Sequence, residues 1–312
     1  MTLSREAALR AGRAVLGQAK DLVRALVARV VSVSPIRRAL RRARDRGLIP
    51  DRVARSLALR GDIPIVGPWA PQFLMHSDPR NVLVRMLYFF PRAGGGEPET
   101  FSVFVGLIDH ARVFVDVGAN QGLFTLIAAA RNPDLRVYAF EPNPNANALL
   151  RTHIAVNDWM DRVNVSSLVV SDQPGVVDFR VPESPYAAVG AIDAVSRARS
   201  GTVVELEAVR LDDVVGDQDV DVIKVDVEGA ESLVIRGAEQ TLRRTRAAVI
   251  LEVLEPYDYA GAERLLRDLD YDFFHLTPAG PVPAPSLVPD VDRVYRNYLC
   301  LPRGILPAVE GE

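Results

Sequence analysis

The chain has 312 residues, 48% of them hydrophobic, a net charge of −3 and a single cysteine, Cys300. That length and apolar content suffice for a full core in one large domain with an appendage, and one cysteine excludes an internal disulfide framework, which fits a reducing, cytoplasmic compartment. No run of 18 uncharged apolar residues marks a membrane span and no basic, apolar, small-residue leader marks a secretory signal, so a soluble protein is expected.

Charge is distributed unevenly along the chain. Residues 1–60 carry 15 basic and four acidic side chains, and the remainder carries 22 and 36. The periodicity predicts a helix over 3–33 with Ala8, Ala11, Val15, Ala19, Leu22, Leu26 and Val30 on its apolar side. Pro35 then starts a shorter helix, 36–46, bearing Arg37, Arg38, Arg41, Arg42 and Arg44. Three readings stand for this segment: a helical cap with a solvated arginine face, a peripheral contact of residues 1–46 with anionic membrane or a partner, or an organellar leader. The expected division is a basic helical extension over 1–60, a connector or cap over 61–99, the main domain over 100–302 and a tail over 303–312.

Prolines punctuate residues 61–96, with one or two short elements expected around the apolar run Val82 to Phe90. A short helix, about Thr100 to Asp109, leads into Val113 to Gly122, VFVDVGANQG. This stretch reads as a buried parallel strand, a tight glycine turn and a helix start. Its spacing is D-x-G-x-x-x-G, whereas a dinucleotide fingerprint needs G-x-G-x-x-G to seat a pyrophosphate. The Asp116 carboxylate would repel a pyrophosphate and accept an ammonium. A second strand, Leu135 to Phe140, ends at Glu141, which is placed to accept two ribose hydroxyls. An amine beside one acid and a ribose beside the other describe S-adenosylmethionine.

The rest of the chain alternates strands and helices. Asn143-Pro144 caps a helix reaching about Asn157. A third strand, Val163 to Val170, precedes Ser171-Asp172, where an adenine amino group would meet an acceptor or the chain simply turns. Val176 to Val181 and Thr202 to Val209 form a hairpin around 182–201, either a substrate lid or a passive insertion. The fourth strand is Val220 to Val225, the fifth Ala247 to Val253 and the sixth Tyr271 to Leu276, with helices over Ala230 to Leu242 and Tyr257 to Leu269. Five prolines within Pro278 to Pro289 preclude a crossover helix, so the last strand, Val294 to Leu301, should run antiparallel. The expected fold is α/β: a mostly parallel seven-stranded sheet with an antiparallel last strand and an N-terminal helical extension.

Lys224 and Asp226 share a strand face at the carboxyl edge of the sheet, where open sheets bind ligands. The chain has two lysines, Lys20 and Lys224, against 35 arginines, so a lysine inside a core strand stands out. Methyl transfer needs an acceptor held in line with the S–CH3 bond, and a hydroxyl acceptor must also lose a proton. Asp226 or Glu228 would take that proton, with Lys224 stabilising the alkoxide or serving as an ion-paired structural residue. Glu231 completes the acidic run. The four histidines show no metal-ligand spacing, Cys300 reads as core, and Tyr186, Tyr257 and Tyr259 read as acceptor-site walls or packing. No (D/N)PP(Y/F) element argues for a nucleobase or amide nitrogen, and the acidic main domain argues against a nucleic-acid track.

The runs DVGANQG (116–122), FEPNP (140–144), IKVDVEGAE (223–231) and ILEV (250–253) together resemble the FkbM family of S-adenosylmethionine-dependent methyltransferases, and the resemblance covers about 97–302. Glu97-Pro98-Glu99-Thr100 resembles the segment before the family's first strand. The resemblance implies a Rossmann-like class I methyltransferase fold and O-methylation of a hydroxyl on a sugar, glycolipid or secondary metabolite. The donor would be held by Asp116, Gly118, Ala119, Asn120, Gly122, Glu141, Pro142, Asn143, Ser171 and Asp172, with Lys224, Asp226, Glu228 and Glu252 at the reaction centre. Asp226 and Glu252, ending adjacent strands, resemble the positions where catechol O-methyltransferase-like enzymes place magnesium ligands, which leaves a divalent metal open. The alternatives are a nicotinamide oxidoreductase, which lacks its glycine pattern here, and a catalytically silent S-adenosylmethionine-binding module.

Overall fold

Helices and strands form where the apolar period and the turn residues place them. The computed structural model describes residues 27, 29–31, 33–92, 96–182, 191–192, 201–257, 259–290, 292 and 294–307. Most of the expected 3–33 helix, most of the 182–201 lid candidate, Tyr186 and the end of the tail lie outside the described residues. The chain divides into two units, residues 1–66 with 74–95 and residues 67–73 with 96–312.

In the first unit, Pro35 opens α1 (Ser34–Asp45), and Arg42 and Arg44 sit in its last turn, where cations complement the carbonyl end of the helix. A short α2 (Asp51–Ala54) follows, then a two-stranded sheet of β1 (Gly61–Ile65) and β2 (Phe73–Ser77). Helix α3 (Val82–Phe89) is capped by Asn81, whose side chain accepts from the Val84 N–H. The arginines of α1 do not all face water. Arg37 and Arg41 lie 5.5 and 5.2 Å from the Tyr88 ring centre, and Arg44 and Arg55 lie 4.3 and 4.6 Å from that of Phe90. The expected solvated arginine face is therefore corrected: three of its five arginines, Arg37, Arg41 and Arg44, serve as packing, because a weakly hydrated guanidinium stacks on an aromatic face at about 0.5–1 kcal/mol per pair.

The second unit begins with α4 (Pro98–Ile108) and continues through β3 (Val113–Val117), α5 (Leu123–Arg131), β4 (Arg136–Phe140), α6 (Pro144–Val156) and β5 (Val163–Ser166). After β6 (Val169–Val170), β7 (Gly175–Val181), β8 (Ala191–Ile192) and β9 (Thr202–Val209) come α7 (Leu211–Val215) and β10 (Val222–Val225). The chain ends with α8 (Glu231–Gly237), α9 (Glu239–Thr245), β11 (Ala248–Glu252), α10 (Ala260–Asp268), β12 (Tyr271–Thr277), β13 (Gly280–Ala284) and β14 (Asn297–Pro302). The main sheet has the order β13-β12-β14-β11-β10-β3-β4-β5. Its strands β11, β10, β3, β4 and β5 are parallel, and β14 enters antiparallel between β11 and β12. This is a Rossmann-like α/β fold with the expected reversed strand.

Residues of β3, β10 and β11 are buried along their whole length, as strands covered on both faces must be. Strand order reverses between β3 and β10, and there the carboxyl ends of two neighbouring strands open a crevice. Register sets Lys224 level with Asp116 on one side and with Ile250 on the other. The site residues are thus brought to one edge by strand pairing alone.

Three elements differ from expectation. The third strand breaks after Ser166, whose hydroxyl accepts the Leu168 N–H, and β6 leaves for a separate four-stranded sheet, β6-β9-β7-β8, which also contains the expected hairpin. The helix expected over Ala230 to Leu242 is two helices broken at Ala238. Within the proline-rich segment, β13 pairs with β12 as an eighth, outermost strand. Pro281 and Pro283 lie opposite Leu276 and Phe274, two residues apart, so both take the same parity of the ladder and can turn their nitrogens outward, which an edge strand permits.

Candidate active site

The turn after β3 takes three left-handed residues within five: Gly118 at φ +85°, Asn120 at +50° and Gly122 at +88°. Asparagine is among the few side chains that adopt this region readily. The Gly118 and Ala119 N–H groups both donate to the Phe140 carbonyl at 3.0 Å, tying the turn to β4. A Cβ on Gly118 would lie 1.8 Å from the Asp226 carbonyl oxygen, and one on Gly122 would lie 2.3 Å from Leu150 Cδ1. Gly118 is thus demanded by close packing against backbone as well as by conformation, and Gly122 chiefly by conformation, since the Leu150 side chain can shift.

Asp116 is buried and accepts from Thr125 Oγ1 at 2.6 Å. Burial pushes its carboxyl up, against the pull of Lys224 and the Thr125 hydroxyl. Glu141 accepts the Asn120 N–H on Oε2 at 2.7 Å and the Asn143 N–H on Oε1 at 2.8 Å. Burial pushes it up to about 7, with the two amides opposing. A carboxylate has about four lone-pair sites, so each oxygen retains one for a further donor. Asn143, after Pro142, accepts the Asn145 N–H and caps α6. Ser171 and Asp172 follow β6 and not the main-sheet strand. The Ser171 carbonyl packs on Gly237, where a Cβ would come within 2.0 Å, and Asp172 Oδ2 accepts from Arg236 at 3.0 Å.

The second cluster is built at the ends of β10 and β11. Lys224 Nζ donates to Asp226 Oδ2 at 2.9 Å and lies 4.5 Å from the Phe124 ring centre. Burial opposes its charge, but the carboxylates of Asp226, Glu97 and Asp116 outweigh burial and hold the ammonium above the usual lysine range. Burial likewise opposes ionisation of Asp226, yet Lys224 and a hydrogen bond from Glu252 bring it below the usual range. Glu252 is pushed up to about 10 by burial and by the adjacent Asp226 charge. Lys224 thus favours the charged form of Asp226, whereas burial and the Asp226 charge both oppose ionisation of Glu252. Glu228, at φ +54°, is raised by burial and by Asp226. Glu231 accepts the N–H groups of Val227 and Gly229 at 3.0–3.2 Å, so this acid braces the loop that carries Asp226 and Glu228.

Glu97 and Asn297 belong to this cluster although sequence reasoning assigned them no role. Asn297 Nδ2 donates to Glu97 Oε2 at 2.9 Å, and Asn297 is paired across the ladder with Glu252. The available signal was a polar residue opening an otherwise apolar last strand, NYLCLP. Arg296 Nη1 stands 3.9 Å from Glu252 Oε1. Tyr257 packs its ring on Gly229, where a Cβ would come within 2.4 Å. Tyr259 Oη accepts the Leu254 N–H at 2.7 Å and donates to the Leu254 carbonyl, and Cys300 is buried in the core. His153 and His275 bond to the carbonyls of Gln121 and Tyr295, and His76 to Asp62.

Asp226, Glu228 and Glu252 each offer an oxygen within 4.8 Å of the others, a hard donor set that suits a divalent cation such as magnesium. Any such ion would have to compete with the Lys224 ammonium for Asp226. Among the described residues no helix is long and apolar enough to cross a membrane.

A family model described as the methyltransferase FkbM domain matches residues 116–273, half of the chain. The chain is 29% identical over 188 residues to methyltransferase sdnD of Sordaria araneosa, covering 51% of this chain and 73% of that one. It is 30% identical to the 2-O-methyltransferase NoeI of Sinorhizobium fredii, covering 43% and 60% respectively. Against the 31-O-demethyl-FK506 methyltransferase FkbM of Streptomyces tacrolimicus it is also 30% identical, covering 48% and 67%. The crystal structure of methyltransferase FkbM from Methylobacillus flagellatus aligns with a TM-score of 0.41 at 16% identity, covering 70% of this chain and 54% of that one. At that score the strand order, and not the likeness, defines the fold.

Proposed function

The chain belongs to the FkbM family of S-adenosylmethionine-dependent methyltransferases, and from that premise we propose that it methylates a hydroxyl of a sugar, glycolipid or secondary metabolite. The observation that carries this reading is the seating of the Gly118 turn directly on the Asp226 backbone, which makes the donor turn and the acid cluster two walls of one crevice. When bound, S-adenosylmethionine supplies a methyl group on a positively charged sulfur. Asp116, Gly118, Ala119, Asn120 and Gly122 form the wall for its methionine part. Glu141, flanked by Pro142 and Asn143, offers its remaining lone pairs to the ribose, and Ser171 and Asp172 border the adenine.

Charge supports the assignment. Asp116 and Glu141 are buried at the turn read as the donor wall, and carboxylates there favour a ligand that brings its own positive charge. Asp226, ionised and paired to Lys224, receives the acceptor's hydroxyl proton. Lys224 stabilises the oxygen as charge develops, and Glu252, hydrogen-bonded to Asp226, fixes the orientation of that carboxylate. Glu228 lies beside them on the loop. With Lys224 supplying the local positive charge, this reading needs no divalent cation.

Calorimetry with S-adenosylmethionine and S-adenosylhomocysteine, followed by a labelled-methyl screen of hydroxylated acceptors, tests the proposal. Asp226→Asn should retain donor binding and lose turnover by about 10²–10⁴-fold. Unchanged turnover would remove Asp226 from the mechanism, and binding without turnover on any acceptor would favour the silent module. A nicotinamide reading is set aside by the family match.

A second proposal concerns α1, whose outward side exposes Arg38, Arg42 and Arg46 near Ile36 and Leu48. Cations interleaved with apolar residues suit an anionic membrane surface, and a glycolipid acceptor would be met there. Equal sedimentation of wild type and an Arg38→Glu, Arg42→Glu, Arg46→Glu variant with phosphatidylglycerol vesicles would overturn this.

A further inference from the structure

Strand β4 departs from its neighbours in the sheet. Strands β3, β10 and β11 are buried along their whole length, whereas β4 opens with an exposed Arg136 and a half-buried Tyr138. Alternation puts these two on one face, and register sets Asn164 of β5 opposite Tyr138 on that same face. The three side chains line a cavity of about 360 Å³ together with Arg151 and Arg162, within the size range of small-molecule sites. The cavity lies at the amino ends of the strands. Glu141 follows Arg136 by five residues, so about 16 Å of extended chain separates it from the crevice at the carboxyl edge.

Charge is unmatched there. In this unit Arg112, Arg131, Arg210, Arg236, Arg267 and Arg303 each sit on a carboxylate. Among the described residues none of the three arginines lining the cavity makes an ion pair. Arg162 donates to the Asn132 and Ala129 carbonyls at the end of α5 and stacks on Trp159, and Asp161, the one acid of the described lining, acts on it. Arg151 donates Nε to Asn147 Oδ1 and Nη2 to the Val165 carbonyl. Both acceptors are neutral, and Nη1 remains. The Arg136 guanidinium, the Tyr138 hydroxyl and the Asn164 side-chain amide have no hydrogen bond among the described residues. Shielding of a sheet edge explains Arg151 on Val165. It does not explain Arg136 and Tyr138, which stand on a strand paired on both sides.

We propose that this cavity is a phosphate-binding site, separate from the methyl-donor crevice, and that Arg136 and Arg151 grip the phosphate group of a small molecule there. A carboxylate is satisfied by the fork of one arginine. Two guanidinium groups with a phenol and an amide match the three oxygens of a phosphate and its charge of about −1.5 to −2. Arg136 supplies a fork, Arg151 its remaining Nη1, and Tyr138 and Asn164 one donor each. The Tyr138 ring, packed on the sheet core, gives the carbon part of a phosphate monoester an apolar edge to lie against. No bond is made or broken at this site, and it stands whether or not the chain methylates a hydroxyl.

Calorimetry of the full chain with glucose 6-phosphate, inorganic phosphate and glucose, at matched ionic strength, tests the site. Glucose 6-phosphate should bind saturably and glucose should not. Arg136→Gln should weaken that binding by about 10–100-fold, the loss that hydrogen bonds to a charged group carry, and Arg136→Lys should recover part of it. The variant should melt like wild type, since that guanidinium bonds to no other described residue. Tyr138→Phe should weaken binding by about 3–10-fold. Tighter binding of glucose 6-phosphate than of inorganic phosphate supports a monoester as the ligand, and equal binding of the two supports the free ion at the same site. The proposal is overturned if neither binds saturably or if Arg136→Gln binds like wild type. Displacement of glucose 6-phosphate by S-adenosylhomocysteine also overturns it, because the phosphate would then lie in the crevice.

Discussion

Replacing Gly118 by alanine separates a demand of backbone conformation from a demand of contact. The left-handed backbone, φ +85°, costs an L-residue about 1–2 kcal/mol. The added Cβ would sit 1.8 Å from the Asp226 carbonyl oxygen, and opening space in a close-packed site costs about 1–3 kcal/mol more. The total, about 2–5 kcal/mol, corresponds to a Tm loss of about 5–15 °C for a domain of this size. Gly304 is the internal control, since it also has φ +85° but meets nothing within 4 Å, so Gly304→Ala should show the conformational part alone, about 1–2 kcal/mol. Retreat of the Asp226 backbone by about 1 Å should lower kcat by about 10²-fold, while Gly304→Ala keeps wild-type turnover. Calorimetric melting and initial rates on the same preparations check both. If Gly118→Ala melts with Gly304→Ala and turns over like wild type, the donor turn and the acid cluster do not share a wall.

Further outcomes can be read from the same geometry. Glu231, at about 7 in the folded protein, holds its proton more tightly than in the unfolded chain; its contribution to stability is therefore full below about 4.5 and falls as pH rises toward 7, by up to about 1.4 kcal/mol per pH unit. Urea midpoints of wild type minus Glu231→Gln between pH 4.5 and 8 should decline across that window, and a flat difference would contradict it. Arg44→Ala removes a guanidinium lying 4.3 Å from the Phe90 ring centre and should cost about 0.5–1 kcal/mol, read by urea titration; no change would return that arginine to solvent. Chelation with EDTA should leave turnover intact because Lys224 already balances Asp226, whereas a loss restored by magnesium would put a cation among Asp226, Glu228 and Glu252.

Much of the site was legible because its parts are local. Strand periodicity, the glycines of 118–122 and the Asn143-Pro144 cap are properties of neighbouring residues, and a two-residue spacing puts Lys224 and Asp226 on one face of any strand. Even the reversal of β14 followed from prolines that preclude a crossover helix. The sequence by itself thus determined the order of most elements and the placing of Lys224 and Asp226 together at the carboxyl edge of the sheet. Tertiary structure decided what lies far apart in sequence: Gly118 against Asp226, Glu97 with Asn297, Glu252 beside Asp226, and the arginines of α1 turned onto Tyr88 and Phe90. It also decided that Pro281 and Pro283 pair as an edge strand and that the third strand breaks at Ser166. The physical reason is range: dihedral preferences and hydrophobic period act over a few residues, whereas burial, desolvation and charge coupling depend on which distant side chains packing brings within a few ångströms.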